Sequence, residues 1–331
     1  MARQTLKPPF QYYGGKAHLA PKIAALLPPH DHYVEPFAGG LSVLLAKEPS
    51  HAETVNDLDS DLVTFWRVLR DQPEELERVC SLTPHSVDEL VCAADRSGVS
   101  DLEVARRVFV VLTQGRRHSL KTSGAGDWRR AVKAAGVVPL PRTLDAQAAR
   151  ISAVAERMIG VSLENDDAIN IIRRYGREPS VCIYADPPYL GETRCKGGGY
   201  RIDQMEEEFH REFAAACKEA KSSVVISGYD SALYAELFAG WERMDMSTMP
   251  TQSQGPEDGS PMVEPPIRGT GRVRLWRGHV RTYTATSRTP TAVNRAGTDP
   301  DCARGCPLVP IAGAGGLPSS PSCHSLGLPI R

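Results

Sequence analysis

Over the first 250 residues, apolar and polar positions alternate between two rhythms. Short apolar, β-rich runs at Val181-Cys-Ile-Tyr184 and Ser223-Val-Val-Ile-Ser227 suit buried parallel strands. His32-Tyr-Val-Glu-Pro-Phe37 predicts a strand running into the Ala38-Gly39-Gly40 turn, with an apolar helix from Leu41. Thr54-Val55 and Val161–Leu163 read as further short strands. Leu58, Leu62, Phe65 and Leu69 recur at helical spacing, so a helix is expected from Asp57 to a stop before Pro73. Phe209, Phe213 and Cys217 mark a helix between the two long apolar runs. Strands alternating with helices imply an α/β fold, a parallel sheet covered on both faces. From about Glu74 to Arg150 the pattern is mostly helical and breaks the alternation. An inserted domain at 74–149 is therefore expected within a host domain made of 1–73 and 150–249.

The pattern changes again near Pro250. Residues 250–331 carry 12 of the 26 prolines and contain neither lysine nor phenylalanine. So few large apolar side chains offer little burial against the entropy of ordering the chain, and 250–331 is expected to be a largely disordered tail. Gly271-Arg-Val-Arg-Leu-Trp-Arg277 is the exception, because Val273 and Leu275 alternate with arginines as in a short strand. With 41% hydrophobic and 24% charged residues, the 331-residue chain is otherwise of ordinary globular composition. Apolar stretches such as Val108–Leu112 are too short to span a bilayer, so a soluble, cytoplasmic protein is expected. Eight irregularly spaced cysteines suggest reduced thiols.

A net charge of −1 argues against a general polyanion binder, but the charge is unevenly spread. Between Ala105 and Lys133 lie Arg106, Arg107, Arg116, Arg117, Lys121, Arg129, Arg130 and Lys133, with Asp127 the sole acid. Such a stretch is either a solvated face or a local nucleic-acid contact. Ser123-Gly124-Ala125-Gly126-Asp127 is a turn signal between its basic arms, suited to a hairpin or loop.

Three elements carry candidate chemistry. Tyr12-Tyr13-Gly14-Gly15-Lys16 invites a phosphate-loop reading, which fails because Phe10 and Ala17 stand where that motif needs glycine and Ser/Thr. Glu35-Pro36-Phe37-Ala38-Gly39-Gly40 is a strand ending in a glycine turn, where a ligand can approach the backbone closely. Asp57, about twenty residues on, is placed either to accept both ribose hydroxyls of an adenosine cofactor or to cap a helix starting at Leu58. Asp186-Pro187-Pro188-Tyr189 follows an apolar strand directly. Its prolines remove two backbone donors and stiffen the loop, leaving a carboxylate, carbonyl acceptors and an aromatic face. That set suits a planar amino group on a ring: acceptors take its N–H bonds while Tyr189 stacks. The alternative is a rigid strand-to-helix turn.

In this order the elements resemble the Dam-type, Asp-Pro-Pro-Tyr family of adenine-N6 DNA methyltransferases, from about Pro8 to Met246. The family's Trp-Ala-Gly-Gly-Lys-like opening is matched by Tyr12 to Lys16, with Tyr12 in place of the tryptophan. Its Pro-Phe-x-Gly-Gly segment is matched by Pro36 to Gly40, and its Asn-Asp-x-x-x-Asp-Leu segment by Asn56 to Leu62. Ile226-Ser227-Gly228-Tyr229-Asp230 follows the intact Asp-Pro-Pro-Tyr. Family members close the sheet with a strand soon after the position of Met246, whereas here Ser247 to Thr270 intervenes before Gly271–Arg277.

The resemblance implies a Rossmann-like, S-adenosylmethionine-dependent methyltransferase sheet with an inserted target-recognition domain. It implies that Tyr12, Lys16, Asp57 and Asp186 contact S-adenosyl-L-methionine, with the Phe37-to-Gly40 turn (Phe37 and Gly39 above all) beneath its methionine part. Asp166 or Asp167 would lie near its adenine. Asp186, Pro187, Pro188 and Tyr189 would be catalytic, and Arg116, Arg117, Lys121 and Arg129 would meet double-stranded DNA. The implied reaction is methyl transfer to a flipped-out adenine by a monomer with no metal, in restriction–modification, in the nucleoid of a bacterial or phage-infected cell. Cys302, Cys306, Cys323 and His324 have poor ligand spacing, so no metal site is expected. Methylation of RNA adenine or of a protein glutamine amide, and a catalytically impaired DNA-binding remnant, are the alternatives.

Overall fold

The computed structural model describes residues 6–122, 124–130, 139–189, 201, 206–229, 231–247 and 272–278. All belong to the first of two compact units, Met1–Thr286 and Ser287–Arg331. The expected tail, apart from 272–278, and Asp230, Lys133 and the four tail ligand candidates lie outside the described residues.

The strands are β1 (His32–Glu35), β2 (Ala52–Asn56), β3 (Val161–Glu164), β4 (Val181–Ala185), β5 (Ser223–Tyr229), β6 (Glu242–Ser247) and β7 (Arg272–Arg277). They form one sheet in the order β3-β2-β1-β4-β5-β7-β6. The first five run parallel, with Val34 beside Ile183 and Ala185 beside Ile226. The expected parallel sheet is extended at one edge: β7 is antiparallel to both β5 and β6 and lies between them. The arginine-alternating run is thus the closing strand, despite the long interval before it. Its Leu275 and Trp276 are buried, which is what ties so polar a segment into the sheet.

The helices are α1 (Ala20–Leu26), α2 (Ser42–Ala46), α3 (Ser60–Asp71), α4 (Pro73–Leu82), α5 (Val87–Ala93), α6 (Asp101–Gln114), α7 (Leu140–Ala148), α8 (Ile151–Met158), α9 (Ala168–Tyr175), α10 (Glu207–Glu219) and α11 (Ala232–Leu237). Strand alternation sorts the core into two layers. Tyr33, Tyr184, Val225 and Leu275 pack with side chains of α2, α3, α6 and α8, whereas Val34, Ile183, Val224, Ile226 and Trp276 pack with those of α9, α10 and α11. The sheet is covered on both faces, an α/β Rossmann-like architecture. The helices expected of the inserted segment are present, and α6 lies against α3, with Val108, Val111 and Leu112 in one core with Leu62, Phe65 and Leu69.

One boundary differs from expectation. The helix predicted from Asp57 starts at Ser60, and its cap is Asp59, whose side chain accepts from the N–H groups of Asp61 and Leu62. Leu58 is consequently outside the helix and exposed rather than in the core stripe.

Candidate functional site

In the strand order, the chain turns back on itself between β1 and β4, and there the carboxyl ends of neighbouring strands leave a crevice. A cleft enclosing about 800 Å³, solvent mouth included, lies at this point. Its lining includes Tyr12, Lys16, Glu35, Phe37, Gly39, Asp57, Asp186, Pro188 and Arg201. Residues from four remote stretches of sequence are thereby brought together, because each follows or faces the end of a parallel strand.

The turn after β1 is held from three sides. Gly39 has φ +47°, its N–H donates to Asp57 Oδ2 at 2.9 Å, and its carbonyl accepts from Trp66 Nε1 of α3 at 3.1 Å. A Cβ on Gly39 would lie 3.1 Å from the Tyr12 ring, so both the backbone angle and the close approach call for glycine. Asp57 caps no helix: its other oxygen accepts from the Asp59 N–H at 2.9 Å. Burial pushes its carboxyl up to about 6, against the backbone N–H groups of Asp59 and Gly39 that favour the ionised form. Glu35, at the end of β1, is pushed up to about 8, mainly by burial, with Tyr33 Oη donating to it at 2.9 Å.

Asp186 leaves the end of β4 with its side chain 18% exposed, while Pro187, Pro188 and Tyr189 are buried. Lys16 Nζ lies 3.0 Å from both Asp186 oxygens and also donates to the Gly14 carbonyl and to Tyr189 Oη. Tyr189 donates to Asp186 Oδ1 at 2.9 Å, and its ring meets Tyr229 edge-on at 4.5 Å. The expected open aromatic face therefore needs correction. The tyrosine is turned inward, its hydroxyl and ring both engaged, and it does not line the cleft.

Asp166 differs as well. Its carboxylate accepts from Arg174 Nη2 at 2.8 Å and from Asn170 Nδ2 at 3.1 Å, and it is not part of the cleft wall. Asp167 caps α9 through the Ile169 N–H, and Ala168 is the residue of this segment that reaches the cleft. Glu35, Asp59, Arg201 and Ser227 were not singled out in the sequence. Arg201 donates through Nε to Asp59 Oδ2 at 2.8 Å, and Ser227 Oγ to Asp186 Oδ1 at 2.7 Å. Glu35, Asp59 and Ser227 each stood inside a quoted segment, Ser227 as the last residue of the second apolar run, whereas Arg201 had no sequence signal.

The basic loop after α6 is a hairpin. Gly115 bridges Trp128, Arg116 N–H donates to the Asp127 carbonyl, and Arg129 N–H to that of Gln114. Arg116 and Lys121 are exposed, while Arg117 is half-buried and ion-paired with Asp127 at 2.9 Å. Arg129, expected to face outward, instead sends Nη2 to the Thr113 carbonyl at 2.7 Å, half-buried beneath the hairpin. Arg106 and Arg107 pair with Glu103, and Arg106 also with Glu89. The local cationic surface is thus smaller than the sequence count. Tyr13 N–H donates to the His118 carbonyl at 2.7 Å, so this loop is tied to the segment that carries Lys16. Among the described residues no cluster of three or more His, Cys, Asp or Glu side chains could hold a metal ion. No helix among them is long and apolar enough to cross a membrane.

Residues 12–90 match the family model of the D12 class N6 adenine-specific DNA methyltransferases. The chain is also 32% identical over 118 residues to the type II methyltransferase M1.LlaDCHI of Lactococcus lactis subsp. cremoris, covering 32% of this chain and 40% of that protein. The alignment therefore spans about two fifths of the length of this curated relative.

Proposed function

We propose, from the match of residues 12–90 to the family model, that this chain is a member of the D12 class of N6 adenine-specific DNA methyltransferases. On that premise we propose that it transfers a methyl group from S-adenosyl-L-methionine to the N6 amino group of an adenine flipped out of double-stranded DNA. One observation carries the proposal: a single cleft joins Asp186 to Lys16, the glycine turn and Asp57.

The lining fits the cofactor. Two backbone N–H groups occupy part of the Asp57 carboxylate, and a carboxylate has about four acceptor positions, so it retains capacity for ribose hydroxyls. Leu58 beside it is one of few large apolar side chains left exposed among the described residues, a surface for a planar ring. With Glu35 protonated, Asp57, Asp59 and Asp186 still outnumber Lys16 and Arg201 in the wall, which favours a cationic ligand. Tyr12, Lys16, Asp57 and Asp186 would hold the cofactor, with the Phe37–Gly40 turn beneath it. When bound, it supplies an electrophilic methyl group on a sulfonium sulfur.

The chain supplies position and electrostatics. Asp186 accepts an N–H of the substrate amino group, and the two prolines after it offer no competing backbone donors. Held in this way, the nitrogen lone pair would face the methyl group that the cofactor supplies as its neutral thioether departs, and the proton displaced from the nitrogen would pass by way of Asp186 to solvent. An amino group inside a duplex cannot reach such a cleft, so the base must leave the stack. Entry also requires Lys16 and Tyr189 to release Asp186, a rearrangement from the resting geometry. Arg116 and Lys121 would meet phosphates beside the flipped nucleotide.

Purified protein incubated with radiolabelled cofactor and DNA, RNA or protein tests the assignment. Label is expected in double-stranded DNA as N6-methyladenine, and Asp186→Ala should abolish it in protein that still melts in one cooperative transition. Label confined to RNA or to a protein glutamine amide, or wild-type transfer by Asp186→Ala, would overturn it.

A further inference from the structure

Asp186 is gripped from inside the sheet as well as from the cleft. Ser227 stands on β5, next to β4, and is completely buried. Its Oγ lies 2.7 Å from Asp186 Oδ1, 3.5 Å from the Ala185 carbonyl and 3.0 Å from Tyr184 Oη. A serine hydroxyl has one proton, and the carboxylate is both the nearer and the charged acceptor, so the proton goes to Asp186. The buried hydroxyl of Tyr184 then donates to Ser227, giving a chain from Tyr184 through Ser227 to Asp186.

This chain makes the two carboxylate oxygens unequal. Oδ1 receives Ser227, Tyr189 and Lys16, whereas Oδ2 receives Lys16 alone among the described contacts. When Lys16 and Tyr189 withdraw to admit a base, Ser227 still holds Oδ1, because it belongs to the strand and not to the cleft wall. The strand itself has little latitude. A Cβ on the adjacent Gly228 would lie 3.1 Å from the Trp276 ring and 3.2 Å from that of Tyr234.

Resting on the methyl-transfer reading above, we propose that Ser227 is a positioning residue: by holding Oδ1 of Asp186 it fixes the carboxylate plane and presents Oδ2 as the acceptor for the substrate amino group. It touches neither cofactor nor base. Tyr184 supports it by occupying the serine's acceptor side.

Single-turnover methylation, with cofactor and DNA dissociation constants measured separately, tests this. Ser227→Ala should slow the transfer step about tenfold to a hundredfold, the range for loss of one charge-assisted hydrogen bond, with both dissociation constants within twofold of wild type. Tyr184→Phe should give a smaller loss of the same kind. The double variant should be no slower than Ser227→Ala, since Tyr184 acts through the serine. A Ser227→Ala rate within twofold of wild type, additive losses, or equal weakening of cofactor binding would overturn the proposal. Should Ser227→Ala not fold, Tyr184→Phe decides: a slowed transfer step with unchanged binding supports the role, and an unchanged step overturns it. Wild-type protein that methylates adenine while the variants behave as wild type removes this role alone. Wild-type protein that methylates no adenine removes the reading beneath it.

Discussion

Glu35 shows what a single enclosed carboxyl does to the whole fold. Burial, with Asp186 nearby and against the Tyr33 hydrogen bond, raises its folded pKa to about 8 from an ordinary 4.5. Between those values the unfolded chain releases the proton and the folded chain keeps it. The contribution is therefore fully present below about pH 4.5 and is lost as pH rises through about 8, at up to about 1.4 kcal/mol per pH unit. Glu35→Gln, which carries no titrating proton, should gain stability relative to wild type between pH 5 and pH 8.5. Melting curves across that range check it, and a constant difference would remove the assignment. Tyr12, Lys16, Gly39, Asp57 and Asp186 were singled out through motifs that resemble the family's, and the fold brings all five to one cleft. Glu35 lay inside a quoted motif and was passed over as a strand residue, since enclosure comes from the helices packed above it. Tyr189 was legible as a residue but not in its rotamer, which depends on Lys16, far away in sequence, and Tyr229.

The start of α3 is decided by two aspartates two positions apart. Asp59 caps the helix and also receives Arg201, whereas Asp57 turns back to Gly39. Asp59→Ala should therefore cost about 1 kcal/mol for the lost cap, and more if the Arg201 pair contributes. Asp59→Asn keeps a capping oxygen and should recover most of the cap contribution. Urea denaturation measures both; equal losses in the two variants would place the stabilisation in the ion pair instead. Helical spacing showed that a helix follows β2 but could not say which aspartate faces which backbone N–H. That choice is made by the glycine turn, a tertiary contact. Strands β4 and β5 were plain in the sequence because apolar β-branched runs buried on both faces leave few alternatives.

At the scale of the molecule, ion pairing redistributes the basic stretch. Arg106 and Arg107 are tied to acids on α5 and α6, and Arg129 is folded inward, while Arg116 and Lys121 stay on the surface. Replacing Arg116 and Lys121 together by alanine should lower the slope of log binding constant against log salt by about 2 for duplex DNA. Replacing Arg106 and Arg107 should leave it unchanged. Titrations at several salt concentrations distinguish the pairs, and an equal effect of both would spread the contact over the helix. Counting charges located the stretch correctly but overstated it, because partners such as Glu89 and Glu103 precede it in the chain and fold back upon it.

The insertion of β7 between β5 and β6 makes the order of synthesis matter. Until residue 272 has been made, β6 lacks the neighbour through which it joins the sheet, and the strand bearing Ser227 presents a bare flank. A ribosome that stopped short of that point would release a chain holding every motif of the cleft, yet with the strand behind its central carboxylate unsupported.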